Sequence, residues 1–455
     1  MDQFESLSPL DYRYWDPIVA RYLSEKAFIR YKLKVELALV RAFTKRNVCS
    51  KEVLKEIEYA CTQITVQDVS QEEKRVQHDL RALVNCLRNR VSNQAKPYAH
   101  LSATSYDISD TANMLRYRDV IVEVLIPELL KLEEALILLS LREANTVQVG
   151  RTHGQHAVPI TFGFAMANYV SRLGESIQTL TTLAGKLQGK FSGAVGAYNA
   201  SALLVDDPEQ FETEILADLG CEPAEVSTQV IPAEARMRVF SELVLICGIM
   251  ADLSDDMRHL QRTEIAEVGE VFEDDQVGSS TMPQKRNPIN FENAKSLWKV
   301  VLPRLLTVFM DQLSEHQRDL TNSASARTYG EMIAYVVSTA KRLAGVMSRL
   351  QVDKQQVHKN LALQEGMILA EPLYVVLSSL GHPDAHEVVR KLTLKAQAED
   401  KQLLSVFEED SALASYRERM TEKQQQIFCD SGFYSGIAAE KARKVAMRWK
   451  KEFGL

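Results

Sequence analysis

Apolar residues recur at steps of three and four residues through five long stretches of the chain. Between 233 and 268, Gly248 is the only glycine or proline, and Val239, Leu243 and Ile246 are among the recurring apolar positions. This period places apolar side chains on one side of an α-helix, so it predicts one long amphipathic helix. Stretches of the same kind cover roughly 111–145, 161–189, 290–313 and 329–350.

Each of these stretches exceeds the average globular helix of about 12 residues. The 19 glycines and 13 prolines fall mostly between the stretches, and not at the ~10-residue spacing that strands and turns require. We therefore predict an all-α protein with a central bundle of long helices. Apolar positions cover too many faces of these helices for a monomer, so we expect helices to pack between subunits.

The length of 455 residues predicts two or three domains, because a single hydrophobic core stops growing at about 250–300 residues. Beyond residue 352 the long periodic stretches give way to shorter, charge-rich segments. We predict an N-terminal helical domain at 1–108, a central long-helix bundle at 109–352 and a C-terminal helical domain at 353–455.

Composition and charge narrow the class of protein. The net charge of -7 gives no electrostatic reason to expect nucleic acid as a partner. The six cysteines form no CxxC pair, so we expect neither a zinc site nor a disulfide framework, and reduced thiols fit a cytoplasmic protein. The N-terminal 15 residues lack a basic and apolar leader pattern, and we expect neither secretion nor a membrane span.

Unusual polar compositions are concentrated in the segments that join the predicted helices. Loops held by a rigid scaffold often carry binding groups, and helix N-termini offer unpaired N–H groups to anions. A dicarboxylate or phosphate substrate would suit such joints. The segments are 100–110, 150–159, 191–200, 227–236 and 278–288.

The segment 278–288 reads GSSTMPQKRNP and stands directly before a predicted helix. A helix-capping loop would account for the GSS tripeptide alone, but not for the whole string. The string resembles the signature of the fumarase, aspartase and argininosuccinate lyase superfamily, GSSxMPxKxNP, which is followed by a glutamate, here Glu292. The resemblance implies that Ser279 removes the Cβ proton, that Lys285 and Asn287 bind a substrate carboxylate, and that no cofactor is needed. A serine base needs donors that stabilise its alkoxide, such as backbone N–H groups of the loop.

A second string, RTHGQ at 151–155, resembles the adenylosuccinate lyases within that superfamily. The resemblance implies that His153 protonates the departing nitrogen, a role suited to a group that titrates near neutrality. It also implies that Thr152 and Gln155 bind or orient the substrate. His156 has no third metal-ligand partner at a suitable spacing, so we expect no metal, and a structural role for His156 stays open.

Two further strings match the same family. HLSATSYD resembles its H-x-x-x-T-S-x-D pattern, which implies that His100, Thr104 and Ser105 contact the substrate, with the last two on the succinyl carboxylate. Taken alone, TSYD is an ordinary N-cap. His78 and Asp79 resemble a His-Asp element that places a second catalytic histidine near the leaving group. Without the family, His78 reads as a residue on a helix face.

Three strings favour the members of the family that act on purine nucleotides: SPLDYRY at 8–14, STQ at 227–229 and QRDLTNS at 317–323. Arginine and serine donors suit a phosphate monoester, through charge-assisted and bidentate hydrogen bonds. The resemblance assigns to the nucleotide Arg13, Tyr14, Gln229, Arg318, Ser323 and Arg327.

The family resemblance implies a homotetramer whose active sites combine residues of three subunits. The expected reaction is β-elimination of fumarate from adenylosuccinate, giving AMP, and from succinyl-aminoimidazole carboxamide ribotide. Departures at Tyr12, Gln77, Phe164 and Gln284 keep another lyase of the superfamily as an alternative, acting on a different N-succinyl compound such as argininosuccinate. A catalytically silent helical scaffold is a further alternative, whereas a nucleotide-binding module is disfavoured because neither GxGxxG nor GxxxxGK[ST] occurs.

Overall fold

A computed structural model describes residues 7–272, 275, 278–364 and 366–455. The first six residues of the N-terminal stretch considered for a leader lie outside the described residues. In chain order, the α-helices are α1 Pro17–Leu23, α2 Glu25–Lys45, α3 Lys51–Gln63, α4 Val66–Val76, α5 Asp79–Arg88, α6 Ser105–Val120, α7 Ile126–Arg142, α8 Phe162–Gly185, α9 Pro208–Asp218, α10 Glu234–Leu260, α11 Ile289–Met310, α12 Tyr329–Met347, α13 Lys354–Ala362, α14 Ala370–Ser379, α15 Ala385–Glu399, α16 Leu403–Glu409, α17 Ala414–Arg417, α18 Glu422–Cys429 and α19 Ala438–Phe453. The strands are β1 Val147–Thr152, β2 Gln155–Thr161, β3 Val268–Gly269 and β4 Gln351–Val352.

The chain forms two compact units. Unit 1 comprises Met1–Leu129, Ser176–Gly248 and Ser296–Lys341, and unit 2 comprises Leu130–Glu175, Ile249–Lys295 and Arg342–Leu455. The divisions fall inside the long helices α7, α8, α10, α11 and α12. The division into three domains stays a prediction.

The predicted all-α class is confirmed. Helices α8, α11 and α12 begin within one residue of the predicted starts and end three or four residues before the predicted ends. The stretch predicted at 111–145 is helical from Ser105 to Arg142, with a π-helical turn at Ile121–Leu125 between α6 and α7. Periodicity therefore located these helices, and the deviations lie at their termini, where caps decide the boundary.

The helix predicted at 233–268 is too long at its C-terminal end, because α10 stops at Leu260. The N–H of Glu267 bonds to the carbonyl of Leu260 at 2.9 Å, and Ala266 adopts a left-handed φ of 52°. Ala266 lies six residues beyond Leu260, and its N–H bonds to the carbonyl of Arg262 at 2.7 Å, so its left-handed conformation closes the turns that follow α10. Residues 261–267 contain neither glycine nor proline, so the sequence carried no stop signal. Val268 instead begins β3, which pairs with β4 in a short antiparallel sheet.

The joint expected at 150–159 is a β-hairpin and not a loop between helices. Strands β1 and β2 pair antiparallel, and Thr152 faces Gln155 across a two-residue turn. The turn residues His153 and Gly154 have φ values of 53° and 74°. Positive φ at both positions is the type I′ geometry, which matches the twist of paired strands. Gly154 adopts it freely, whereas His153 is held in a conformation that side chains seldom take.

Each unit has its own buried core. In unit 1, α2, α3, α5, α6 and α9 contribute apolar residues such as Leu39, Ile57, Leu83 and Ile215. In unit 2, helices α13 to α16 and α18 pack around residues such as Leu377 and Val406. In the described part of the chain, no single helix is long and apolar enough to cross a bilayer. Two consecutive helical segments, Lys354–Ala362 and Met367–Ser379, are together long and apolar enough, but they are bent by 74° relative to each other.

Candidate active site

Seven of the predicted site residues line one pocket in unit 1, with a volume of about 760 Å³. We refer to it as the unit 1 pocket. His78 and Asp79 come from the start of α5, and Ser105 is the first residue of α6. The others are Gln229, Arg318, Ser323 and Arg327. Segments far apart in the sequence thus bring together the groups predicted for the nucleotide and for the succinyl carboxylate.

The position of His78 follows from two helix ends that meet. Gln77 ends α4 in a left-handed conformation with φ of 52°, and His78 is the N-cap of α5. The Nδ1 of His78 accepts the N–H of Arg81 at 3.2 Å. In the neutral imidazole the proton then resides on Nε2. His78 therefore presents an Nε2–H donor, and it is a cap and not simply a residue on a helix face.

Asp79 is held by a lysine from the core of unit 1. The Nζ of Lys32 lies 2.8 Å from Asp79 Oδ2, and the Lys32 side chain is buried. The Lys32 ammonium also lies 4.2 Å from the ring centroid of Phe28. Burial alone would raise the pKa of Asp79, but the charge and hydrogen bond of Lys32 outweigh it and lower that pKa. Asp79 is thus fixed as a carboxylate at neutral pH.

Arg318 is held in place within the unit 1 pocket by a stacked ring and two hydrogen bonds. Its guanidinium carbon lies 3.2 Å from the ring centroid of Tyr106, and Nη1 donates to Oε1 of Gln229 at 3.0 Å. Nε donates to the carbonyl of Asp319 at 2.9 Å, while the buried Nη2 has no partner among the described residues. A stacked, pre-oriented guanidinium with a spare donor is suited to binding an anion.

His100 and Thr104 lie near the start of α6 but do not line the unit 1 pocket. Nδ1 of His100 lies 2.7 Å from Oε1 of Glu36, a fully buried carboxylate on α2. Burial alone would lower the pKa of His100, but the charge and hydrogen bond of Glu36 outweigh it and raise it. The N–H of Thr104 donates to Oδ2 of Asp107 at 2.8 Å, so TSYD also forms the N-cap that its composition allows.

Arg13 and Tyr14 lie outside the unit 1 pocket. They follow a short 3₁₀ turn at Pro9–Asp11. The ring of Tyr14 packs edge-on against Tyr335 at a centroid distance of 5.6 Å, and the guanidinium of Arg13 lies 5.9 Å from the ring centroid of Tyr12. Tyr12, which departs from the family pattern, therefore places its ring next to the guanidinium of Arg13.

The segment 278–288, here called the signature loop, closes on itself. The Nδ2 of Asn287 donates to the carbonyl of Gly278 at 2.9 Å. A Cβ atom at Gly278 would lie 2.0 Å from the carbonyl oxygen of Lys285, so only glycine fits this approach. The Oγ of Ser279 accepts the N–H groups of Thr281 at 3.4 Å and Met282 at 3.1 Å. These are donors of the kind that would stabilise an alkoxide at Ser279.

A second pocket, of about 820 Å³, lies in unit 2 and takes one wall from the signature loop. Lys285, Asn287 and Glu292 line it, as does Gln284. Glu292 is in the first turn of α11. The Lys285 ammonium has no acidic partner in the described part of the chain. This pocket therefore gathers the residues predicted to bind a carboxylate.

His153 occupies the exposed tip of the β1–β2 hairpin, with Thr152 and Gln155 exposed on either side. None of the three lines the unit 1 pocket or the unit 2 pocket, and neither does Ser279. The base of the hairpin is firmly held, because the buried Glu267 accepts from Arg151 Nη2 at 2.5 Å and from Gln148 Nε2 at 2.6 Å. His153, the predicted acid, thus lies on an exposed turn whose supporting strands are held by the hydrogen bonds of Glu267.

His156 pairs with Arg151 across the hairpin and is partly buried. Burial and the nearby charge of Arg151 lower the pKa of His156. This favours a neutral imidazole. Within the described ranges, no three His, Cys, Asp or Glu side chains converge as a metal site, and all six cysteines are free thiols.

The sequence motifs did not identify three residues that shape the site: Lys32, Glu36 and Tyr106. Lys32 and Glu36 stand four residues apart among the apolar positions of α2, where both are buried. A lysine and a glutamate on the apolar face of a helix are a signal for buried charge with specific partners. Tyr106 lies within TSYD, but the sequence did not indicate a role for it, because its partner Arg318 is remote in sequence.

Comparison with known proteins extends over nearly the whole chain. A family model described as lyase matches residues 12–302, and one described as adenylosuccinate lyase C-terminal matches residues 314–428. The adenylosuccinate lyase of Pyrococcus horikoshii is 34% identical over 97% of this chain and 97% of its own length. The N-acetyl-S-(2-succino)cysteine lyase of Enterococcus italicus is 29% identical over 94% and 93%. The crystal structure of the 3-carboxy-cis,cis-muconate lactonizing enzyme of Pseudomonas putida superposes with a TM-score of 0.85 at 25% identity, covering 98% of this chain and 99% of that one.

Proposed function

The chain belongs to the adenylosuccinate lyase family, as its motifs predicted, and on that premise we propose that it removes fumarate from adenylosuccinate to leave AMP. We extend the proposal to succinyl-aminoimidazole carboxamide ribotide, the second substrate expected from the sequence. Membership makes the chain a fumarate-releasing carbon–nitrogen lyase. Its action on a purine nucleotide in particular is the part that needs support.

The observation that carries the proposal is the unit 1 pocket. Arg318, with its spare Nη2 donor, shares this pocket with Ser323 and Arg327. Arg327 has no ion-pair partner in the part of the chain that the structure describes. Two guanidinium groups and a hydroxyl are the donors that a phosphate monoester requires. Argininosuccinate carries no phosphate, so the pocket favours the nucleotide.

In the proposed reaction, Ser279 takes the proton from Cβ of the succinyl group. The electron pair is held as a carbanion by the adjacent carboxylate, which Lys285 and Asn287 bind. The pair then forms the double bond of fumarate while the C–N bond breaks, and His153 gives a proton to the departing nitrogen. Backbone N–H groups on Ser279 Oγ supply fixed dipoles for the alkoxide. His78, with its proton on Nε2, contacts or orients the leaving group.

We also propose a homotetramer with shared active sites. Leu302, Leu306, Phe309 and Met310 expose apolar side chains along α11, and Leu313 continues the row just beyond it. Their spacing of three or four residues forms one stripe. An exposed apolar stripe of this length is typical of a subunit interface. The exposed position of His153 is consistent with its contributing to a neighbouring subunit's site. The expected compartment is the cytoplasm, without nucleic acid or membrane as partners.

The proposal is tested by adding adenylosuccinate to the purified protein and following ultraviolet absorbance, with fumarate and AMP identified by chromatography. Equimolar formation of both products supports the proposal. Argininosuccinate is the parallel substrate. Turnover of argininosuccinate alone would move the chain to the alternative N-succinyl substrate. Turnover of neither compound would leave the chain in the superfamily and overturn the proposed substrate.

Shared sites have their own test. The variants Ser279→Ala and His153→Ala are each expected to be inactive. If one site combines Ser279 and His153 of different subunits, mixing the two inactive proteins under conditions of subunit exchange restores part of the activity. Mixed assemblies without any activity would contradict shared sites, provided that light scattering shows that exchange has occurred.

A further inference from the structure

We propose that Gln261 and Glu270 are positioning residues that fix the signature loop relative to the helices on either side of it. Neither residue belongs to the motifs that identify the family, and neither is placed on the substrate. The catalytic consequence rests on the proposed function, because it concerns the loop that carries Ser279. The structural part of the proposal does not depend on the substrate.

Gln261 directly follows α10 and bridges two points of the backbone. Its Oε1 accepts the N–H of Glu270, and its Nε2 donates to the carbonyl of Arg286, both at 3.3 Å. Glu270 precedes the signature loop, and Arg286 lies inside it. A primary amide offers one acceptor and one donor at the same carbon. This side chain therefore joins the entry to the loop with its exit.

Glu270 connects the segment before the signature loop to the start of α11. Its Oε1 accepts the N–H groups of Asn290 at 3.1 Å and Phe291 at 3.3 Å, and its Oε2 accepts Nδ2 of Asn290 at 2.6 Å. Asn290 is held in turn, because Nη1 of Arg342 donates to its Oδ1 at 2.8 Å. The first N–H groups of a helix have no partner within it. A carboxylate with only 4% of its surface exposed satisfies them here.

The two contacts act on a loop that is already closed on itself. Asn287 bonds to Gly278, and the backbone of Gly278 packs against that of Lys285. A loop that is closed on itself depends on its outward contacts for its position. Its attachment therefore sets the location of Ser279, Lys285 and Asn287 together. Catalytic geometry is sensitive to such placement, since a shift of about 1 Å can cost ~10²-fold in rate.

The central test is Gln261→Met, which keeps the length of the side chain and removes both hydrogen bonds. Gln351→Met is the matched control, because Gln351 lines the same unit 2 pocket, is exposed, and has no side-chain hydrogen bond among the described residues. Trypsin reports on the loop, since it cleaves after Lys285 and Arg286. We expect Gln261→Met to be cut there ~10-fold faster than the unaltered protein, the scale of two lost hydrogen bonds, at an unchanged melting temperature.

Turnover provides the second readout. We expect Gln261→Met to lower kcat by ~10-fold, with a smaller change in KM, because only the carboxylate contacts of Lys285 and Asn287 move with the loop and the proposed nucleotide contacts of unit 1 do not. Glu270→Gln should shift cleavage and kcat in the same direction, since it replaces an acceptor oxygen next to Asn290 by a donor. Gln351→Met should match the unaltered protein in both readouts.

Cleavage of Gln261→Met at the unaltered rate would overturn the proposal, and so would faster cleavage with unchanged kcat. If the unaltered protein fails to turn over adenylosuccinate, the proposed function is wrong. The cleavage rates then still decide whether Gln261 holds the loop, so the two failures can be told apart.

Discussion

The buried carboxyl group of Glu133 leads to a quantitative prediction about stability. Glu133 lies on α7 with no exposed surface, and neither of its oxygens has a hydrogen-bond partner among the described residues. Burial raises the pKa of Glu133 from 4.5 to about 9. At neutral pH the folded state thus holds a proton at Glu133 that the unfolded chain has released. We predict that Glu133→Gln stabilises the protein.

The magnitude follows from the two pKa values. Between pH 4.5 and about 9 the folded state binds one proton more than the unfolded state, so stability falls as pH rises, by about 1.4 kcal/mol per pH unit. At pH 7 the accumulated cost is about 3 kcal/mol, at pH 6 about 2 and at pH 8 about 5. Glutamine does not titrate, and its buried amide costs about as much as the protonated acid. The variant should therefore gain approximately these amounts.

The measurement is urea unfolding, followed by circular dichroism at pH 6, 7 and 8 and at one protein concentration. Glu134→Gln is the matched control, because Glu134 is the next residue of α7 and is exposed; it should change stability by less than about 0.5 kcal/mol at every pH. An advantage of Glu133→Gln that does not grow with pH would refute the reasoning, as would a loss of stability.

Three further predictions concern the site. Ser279→Ala should lower kcat by ~10²–10⁴-fold, the usual contribution of a general base. Ser280→Ala is the control and should stay near the unaltered rate, and both variants should keep the circular dichroism spectrum of the unaltered protein. Comparable rates for the two variants would contradict the assignment of Ser279 as the base. Glu36→Gln should lower the pKa of His100, because it removes a carboxylate 2.7 Å from the imidazole. The pair of His100 and Glu36 stabilises the fold below pH 6.5, and this contribution is lost as pH rises through the raised pKa of His100. The pKa of His100 is measured by nuclear magnetic resonance titration, and the same value in Glu36→Gln and the unaltered protein would contradict the prediction. Arg318→Lys should raise KM for the nucleotide by ~10-fold or more, since lysine lacks the planar fork, and should affect the succinyl-nucleoside without phosphate much less.

Periodicity predicted the long helices well because their burial pattern is local and repeats over many turns. The start of α6 was predicted too late, because Ser105 was assigned to a joint at 100–110 and is the first residue of the helix. The end of α10 could not be predicted, because residues 261–267 contain neither glycine nor proline, and the contacts of the buried Glu267 with Arg151 and Gln148 are remote in sequence. The hairpin of β1 and β2 was not predicted, because its turn is formed by His153 and Gly154, whereas Asn-Gly is the usual sequence signal for such a turn.

The candidate site was predicted in part. The motifs named seven of the residues that line the unit 1 pocket, because each of the seven is embedded in a distinctive string. The partners of those residues were missed, because Lys32, Glu36 and Tyr106 gain meaning only from contacts with residues remote in sequence. The same holds for Gln261, whose two hydrogen bonds reach forward by 9 and 25 residues.

We propose that this lyase acts on a succinyl-purine nucleotide. The most direct measurement is kcat/KM for adenylosuccinate, argininosuccinate and N-acetyl-S-(2-succino)cysteine, with fumarate release as the common readout. We predict that adenylosuccinate is preferred by ~10²-fold or more, because only it provides a phosphate for Arg318 and Arg327. A preference for either of the other two compounds would contradict the claim and would leave the unit 1 pocket without its proposed ligand.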